Sequence, residues 1–414
     1  MRNYLSISLA GLLLMLSLGC ALLDMQTATP EGPPTQTSTP NPPEPTWTPL
    51  PPSPTPEPTI NPCPAMQDVT PPARTTDVSA DIQAIRSYLS QGGASTQITL
   101  KEQESLHQGD VTGDGVPEIV YVLIDPEAEQ IPPKGLLVVF TCRQGDVDIL
   151  YQYEPGEWFG LNWISIEDLT QDGVADLVFS EVSCGAHTCW HTPRVWSWQG
   201  GDFVDRMGTE YSFPYPGFKV TDAKLVIVAG GIGSVGAGPQ RPVTTTLMWT
   251  GQVITATETT TAPPSYRYHA FLDGDRALAS AHDEEAMGFY RQVIDDDTLE
   301  PWGAFSSEEE ERQWLTALAY WRLMTLRTRL GREDAADQDY AALTEIAAPG
   351  ETGYPVVVMA ERFRRAYQRD QDPDNACAYA VGSDEAFAIL DFLNTFGYAN
   401  PVYELPDLCL DPSL

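Results

Sequence analysis

Two short acidic stretches of this chain carry oxygen-bearing side chains at matching positions. The first is Asp110-Val111-Thr112-Gly113-Asp114-Gly115-Val116-Pro117-Glu118, and the second is Asp168-Leu169-Thr170-Gln171-Asp172-Gly173-Val174-Ala175-Asp176. In both, the oxygens stand at positions one, three, five and nine, a Gly at position six allows a sharp turn, and an apolar strand follows. Such alternation directs the oxygens into one loop, as a hard cation such as Ca²⁺ requires. The spacing therefore predicts two calcium sites.

The predicted ligands come from both side chains and backbone. They are Asp110, Thr112, Asp114, the carbonyl of Val116 and Glu118 in the first loop, and Asp168, Thr170, Asp172, the carbonyl of Val174 and Asp176 in the second. Thr at position three, where tighter sites often have Asp or Asn, predicts a modest affinity of about 10⁻⁴–10⁻³ M. The alternative is an Asp-Gly turn into a strand, which needs no metal. Agreement of two copies at every oxygen position favours calcium and indicates a structural repeat.

The second loop and its strand resemble the calcium loop of FG-GAP repeats, the blades of integrin-type β-propellers. Phe159-Gly160 precedes Asp168 at the distance typical of that family. Ser180-Glu181-Val182 replaces the Gly-Ala-Pro that follows the family's strand, and the first loop lacks the Phe-Gly. The resemblance implies a propeller-blade-like module, and in that family such modules serve extracellular adhesion.

Period-two patterns with Gly turns predict three β units over roughly residues 100–260. The predicted strands include Leu136–Phe140 in the first unit, Arg194–Trp198 in the second, and Leu225–Val228 and Thr244–Trp249 in the third. The third unit has lost the calcium oxygens and is expected to bind no ion. A closed propeller typically needs about four blades or more. The module is therefore open, irregular or closed by a partner.

Composition limits the partners. The 414 residues include 58 Asp and Glu against 23 Lys and Arg, which gives a formal net charge of −35. A field of that sign repels nucleic acid and anionic lipid surfaces and attracts divalent cations. We therefore expect no nucleic-acid partner.

Residues 1–20 have the features of an export signal, with Arg2 before a short apolar run. The sequence Leu16-Ser17-Leu18-Gly19-Cys20 resembles a bacterial lipobox, in which the Cys is lipidated after cleavage, although Ser17 stands where the family usually has Leu. We expect an exported protein anchored by lipid at Cys20 on the outside of the cell membrane. The alternative is a secreted protein with an unmodified Cys20. Residues 21–64, rich in Pro and Thr, predict a disordered linker between the anchor and the folded part.

Six cysteines remain beyond Cys20: Cys63, Cys142, Cys184, Cys189, Cys377 and Cys409. An even number in an exported chain indicates three disulfides, although six Cys allow about fifteen pairings. Local pairing favours Cys184–Cys189 and Cys377–Cys409, which leaves Cys63 for Cys142. The alternative is a zinc site built from Cys184, His187, Cys189 and His191.

Helical periodicity begins near Tyr266, after one earlier helix at Ser79–Ser90. The later predicted helices are 266–281, 284–295, 307–330, 333–347, 355–369 and 383–396. The residues around Gly331 resemble a tetratricopeptide motif, with Ala336 and Tyr340 at the small and aromatic packing positions. Ala286 and Tyr290 repeat that spacing. The resemblance implies a groove that binds peptides or proteins; the alternative is a plain helical bundle.

No nucleophile, zinc-protease or phosphate-loop motif is present in the sequence. Together, the patterns above predict a multidomain β + α protein. It consists of a signal peptide 1–20, a linker 21–64, an FG-GAP-like β-repeat domain 65–262 and a tetratricopeptide-like α-helical domain 263–414. The expected function is that of a lipid-anchored binding or scaffold protein for an unknown protein or peptide ligand, and not an enzyme. The alternatives are an envelope hydrolase acting on glycan or peptide, and a purely structural envelope protein.

Overall fold

Antiparallel sheets form the N-terminal part of the structure and helices the C-terminal part. The structure is a computed structural model that describes residues 63–125, 130–303 and 307–409. The predicted signal peptide 1–20, Cys20 and all but the last residues of the linker 21–64 lie outside the described residues. The described residues belong to one compact unit. Within them, no helix combines the length and the apolar character needed to cross a bilayer.

Three sheets make up the β region. The first contains β1 (Ser105–Gly109), β2 (Glu118–Ile124), β3 (Gly135–Arg143) and β4 (Asp146–Tyr153); the second β5 (Gly160–Glu167), β6 (Asp176–Cys184), β7 (Cys189–Gln199) and β8 (Asp202–Asp205), with β9 (Phe213–Pro214) beside β7; the third β10 (Gly217–Thr221), β11 (Lys224–Ala229), β12 (Val243–Trp249) and β13 (Ile254–Thr261). The strands of each sheet run in chain order, each antiparallel to the next, and none of the three sheets closes on itself.

The sheets pack against one another through apolar side chains, and the central strands β2 and β6 of the first and second sheets are buried on both faces. Along β2, Val120 and Val122 face the second sheet, whereas Tyr121 and Leu123 pack beneath the helix α1 (Val78–Ser90). Along β6, Phe179 joins the core shared with the first sheet. Its neighbour Val178 joins the core shared with the third. A strand buried on both faces reads as a continuous apolar run, as Ile119 to Ile124 does.

The C-terminal part consists of seven helices among the described residues. They are α2 (Arg267–Ala279), α3 (Asp283–Asp295), α4 (Glu308–Arg329), α5 (Glu333–Ile346), α6 (Tyr354–Asp370), α7 (Pro373–Val381) and α8 (Asp384–Leu393). The sequence predicted all of these except α7, which is short and begins with a capping Asp372 and a Pro. The coarse order of β region then α region is thus confirmed.

Three helix hairpins succeed one another: α2 with α3, α4 with α5, and α6 with α7. Ala281 and Gly331 occupy the same place in the first two turns, with φ of +57° and +69°. In both turns the next N–H bonds a carbonyl five residues earlier, which closes the helix end. A buried alanine follows the turn in each hairpin, namely Ala286, Ala336 and Ala376, and its small side chain lets the helices pack closely.

The two tyrosines predicted at equivalent packing positions behave differently. Tyr290 is fully buried and its hydroxyl donates to Asp275 at 2.6 Å. Tyr340 is only partly buried and its ring lies under the Arg364 guanidinium, 4.1 Å from it. The first supports the core, and the second lies at the surface between α5 and α6.

The segment that follows β11 makes backbone hydrogen bonds with the end of the α region. Tyr398 and Ala399 donate N–H groups to the carbonyls of Gly236 and Ala237, at 3.1 Å each. Gly238 has φ +85°, and a Cβ there would stand 1.6 Å from the Phe396 carbonyl oxygen. Only glycine permits this approach.

Candidate functional site

The two acidic loops have left-handed residues at the same two positions. Position four is left-handed in both, at Gly113 (φ +78°) and Gln171 (φ +58°). Position six is left-handed as well, at Gly115 (φ +85°) and Gly173 (φ +90°). The glycine at position six therefore makes the turn expected from the sequence, because a side chain there would strain the backbone.

The carboxylates at positions one and five fold onto the loop's own backbone. Asp110 accepts N–H bonds from Gly113 at 2.7 Å and Gly115 at 2.8 Å, and Asp114 accepts one from Val116 at 2.8 Å. In the second loop, Asp168 accepts from Asp172 and Gly173, and Asp172 accepts from Val174. These bonds fix the carboxylates at the loop surface, and each carboxylate keeps lone pairs to spare.

The position-nine acids lie inside the protein instead. Glu118 is fully buried and accepts from the Val111 N–H at 3.1 Å and the Thr141 hydroxyl at 3.0 Å. Burial raises the pKa of Glu118, and the charges of Asp114 and Asp110 raise it further. The residue therefore ties the start of its loop to the neighbouring strand.

Asp176 does the same in the second loop. Its carboxylate accepts from the Leu169 and Thr170 N–H groups at 2.8 and 2.9 Å, and from the Ser197 hydroxyl. Burial raises the pKa of Asp176, while these bonds oppose the rise. Thr170 at position three also donates its hydroxyl to Asp176, as Thr112 does to Glu118.

The donors present suit a hard cation in kind, since each loop offers carboxylate, hydroxyl and carbonyl oxygens. The set of available ligands is less complete than the spacing predicts, because the position-nine carboxylate already accepts hydrogen bonds from the protein's own donors. Across residues 63–125, 130–303 and 307–409, no cluster of three or more Asp, Glu, His or Cys stands ready to hold a metal. Two modes of calcium binding fit these contacts. Either the position-nine carboxylate binds the ion as well as its present hydrogen-bond donors, or positions one, five and seven hold the ion without it.

The third β unit has a short turn in place of the acidic loop. A two-residue turn, Asp222-Ala223, joins β10 to β11 with φ of +51° and +55°, the tight hairpin turn with both residues left-handed. Lys224 begins the next strand, where the first two units have an acid, and it faces Met248 across the sheet.

The six cysteines form three disulfides: Cys63–Cys142, Cys184–Cys189 and Cys377–Cys409. These are the three pairs favoured from the sequence. Cys184 and Cys189 face each other at the ends of β6 and β7, and His191 hydrogen-bonds Ser180 at 3.1 Å. The two sulfurs are bonded to each other, so the structure does not assemble the alternative zinc site.

A depression between the second and third helix hairpins, here called the helical groove, has a volume of about 150 Å³. It is lined by Met324, Thr328, Glu333, Ala336, Asp337, Phe363, Arg364, Tyr367, Gln368 and Gln371. Met324 and Phe363 are buried and form an apolar floor.

Polar side chains hold the rim of the helical groove in place. Arg364 pairs with Asp337 at 2.6 Å while lying over the Tyr340 ring. The Tyr367 hydroxyl donates to Glu333 at 3.2 Å. The helices and Tyr340 were predicted from the sequence. The rim was not predicted, since Arg364 and Tyr367 lie on a different hairpin from Tyr340. Their spacing of three on one helix was the available signal.

Comparison with known protein families finds no match for this chain, and comparison with curated proteins finds no similar sequence.

Proposed function

We propose that this chain is an exported binding or scaffold protein, held outside the cell membrane by lipid on Cys20. The linker 21–64 would space the folded part from the membrane. The β units, which resemble FG-GAP repeats, would be stabilised by calcium at the two acidic loops. The helical hairpins, which resemble tetratricopeptide repeats, would recognise a protein or peptide partner.

The helical groove is the observation that carries this proposal. An apolar floor surrounded by polar side chains is the usual anatomy of a protein-recognition surface. A cavity of about 150 Å³ can hold one benzene-sized group, and the groove has that volume. The groove therefore suits a peptide that inserts one aromatic or branched apolar side chain, while its backbone bonds the rim.

The carboxylates of the groove favour binding over hydrolysis. A glycan hydrolase needs two acids facing a shared substrate. Here Glu333 accepts from Tyr367, and Asp337 is paired with Arg364. Both acids serve to order the rim.

Site-specific photo-crosslinking tests the proposal. A photoreactive residue at Gln368, exposed on the rim, should crosslink a defined envelope protein or peptide in intact cells. The same probe at Gln91, exposed at the end of α1, should not capture it. Tyr367→Ala should abolish the crosslink, whereas Tyr379→Ala, a half-exposed tyrosine on α7, should leave it. Identical products from Gln368 and Gln91 would overturn the proposal.

A further inference from the structure

A second cavity lies where the β region meets the first helix hairpin, and we call it the junction cavity. Its volume is about 400 Å³, within the range of about 300–1,000 Å³ typical of small-molecule sites. The ends of β7, β11, β12 and β13, the short β9 and the segment 230–241 form one part of its wall. One face of α2 forms another, through His269, Leu272 and Arg276, spaced as neighbours on a helix.

His269 is a buried polar side chain on the wall of the junction cavity. His269 is only 2% exposed, and neither ring nitrogen makes a hydrogen bond of normal geometry, although the Pro239 backbone lies close enough to act as a weak partner. Buried polar groups are nearly always hydrogen-bonded, because an unpaired one costs about 1–3 kcal/mol. A polar group that enters the cavity beside the remaining ring nitrogen would reduce that cost.

The side chains that line the cavity carry positive charge. Of the described residues that line the cavity, two are arginines and none is Asp or Glu, in a chain with 58 acids and 23 bases. Arg241 is committed to Asp273 through both guanidinium ends. Arg276 reaches the same carboxylate only at 3.8 Å, and its side chain is 51% exposed. Arg276 is therefore the cation best placed to meet an incoming anion.

The rest of the lining is largely apolar and firmly built. Trp190, Phe213 and Leu272 supply aromatic and aliphatic surface. Gln240 holds the backbone of Ile232 through two bonds, at 2.7 Å to its N–H and 3.0 Å to its carbonyl. Such a cavity can exclude water from the apolar part of a ligand, while a few polar groups set its orientation.

We propose that the junction cavity binds a small organic carboxylate with an apolar body. Arg276 bonds the carboxylate, the body packs on Trp190, Phe213 and Leu272, and His269 lies beside it on the cavity wall. A planar guanidinium matches a carboxylate through two parallel bonds. This site is separate from the helical groove, so either proposal can fail while the other stands.

Calorimetric titration of the purified full chain with 4-phenylbutanoate tests this, with the neutral 4-phenylbutanamide and inorganic phosphate as comparators. The carboxylate should bind at least about tenfold more tightly than the amide and than phosphate, because a charge-assisted bond is worth that much. Arg276→Gln should remove the preference for the acid and leave amide binding unchanged. Arg365→Gln, which alters a mostly exposed arginine on α6, should change neither.

A second readout identifies the place of binding. The chain has five histidines, and in a ¹H–¹³C spectrum the carboxylate should shift the His269 signal, assigned with His269→Gln, and leave the exposed His282 signal unmoved. Equal binding of acid and amide, acid binding unaltered by Arg276→Gln, phosphate binding as tight as the acid, or no shift at His269 with a series of aryl and alkyl carboxylates would each overturn the proposal.

Discussion

The hydroxyl of Ser197 on β7 donates a hydrogen bond to the buried carboxylate of Asp176 at the start of β6. This contact lies immediately beyond the Leu177–Trp196 pair of the second sheet. Thr141 and Glu118 make the same contact beyond the Ile119–Phe140 pair of the first sheet. The equivalence shows that the two β units repeat in side-chain detail as well as in strand order.

Loss of this hydroxyl should weaken the second sheet. Ser197→Ala leaves the buried Asp176 with one donor fewer, and hydrogen bonds to charged groups contribute about 1.5–3 kcal/mol. We expect urea unfolding to show a loss of that size. Ser212→Ala, at an exposed serine before β9, should stay within about 0.5 kcal/mol of the wild type. Equal effects of the two changes would mean that the contact contributes nothing specific.

Glycine at position 238 should be required for the β and α regions to meet. Gly238→Ala imposes a left-handed backbone on a residue with Cβ, costing about 1–2 kcal/mol, and also forces that Cβ against the Phe396 carbonyl. Gly251→Ala is the matched control, since Gly251 has φ +93° but nothing within 4 Å of its Cβ position. Thermal unfolding should show a larger loss for Gly238→Ala. Equal losses would refute the close approach.

His269 should make stability fall in acid. Burial, and then the Arg241 charge, lower the pKa of His269 from 6.5 to about 4. An unfolded chain takes up this proton near pH 6.5 and the folded one only near pH 4, so the free energy of unfolding decreases as pH falls through that window. The decrease attributable to His269 is up to about 3 kcal/mol.

Urea unfolding at pH 7 and pH 4.5 measures this effect. His269→Gln should reduce the difference between the two pH values, whereas His282→Gln, at a mostly exposed histidine, should not. The same pH dependence in wild type and His269→Gln would contradict the assignment.

Much of the fold follows from local pattern. The apolar run from Ile119, the Gly turns and the change of period near Tyr266 predicted the inner strands and all but one of the C-terminal helices. The strands β1, β4, β5 and β13 and the short β9 were not predicted. β1 and β5 are sheet edges with polar residues such as Asn162 and lack a clean alternation. An edge strand pairs with a neighbouring strand on one side only, so its sequence is weakly constrained.

The candidate sites were predictable only where the ligands are close in sequence. Positions one to nine of each acidic loop lie within one turn and could be read directly. The inward role of Asp176 could not, because Ser197 reaches it from another strand. The helical groove and the junction cavity join residues from separate elements, such as Met324 with Tyr367 and Trp190 with His269, and no local pattern connects them.

Lipid attachment at Cys20 remains a prediction from the sequence Leu16 to Cys20. Mass spectrometry of the chain from the membrane fraction should show a mature N-terminus at a lipid-modified Cys20. Cys20→Ser should release the protein from that fraction because a lipid chain adds membrane affinity with each buried CH₂ group. An unmodified Cys20, or cleavage at another residue, would contradict the anchor.

Calcium binding at the two acidic loops is the central claim about the β region, and thermal unfolding with calcium or with chelator tests it most directly. At a calcium concentration of about 100 times the dissociation constant, each independent site should stabilise the fold by about 2.7 kcal/mol. Asp114→Ala and Asp172→Ala should each remove part of the calcium-dependent rise in melting temperature, and the double variant all of it. Asp222→Ala, at the third unit's turn, should leave the rise intact. If calcium at that concentration does not move the wild-type melting temperature, the loops are turns and bind no structural ion.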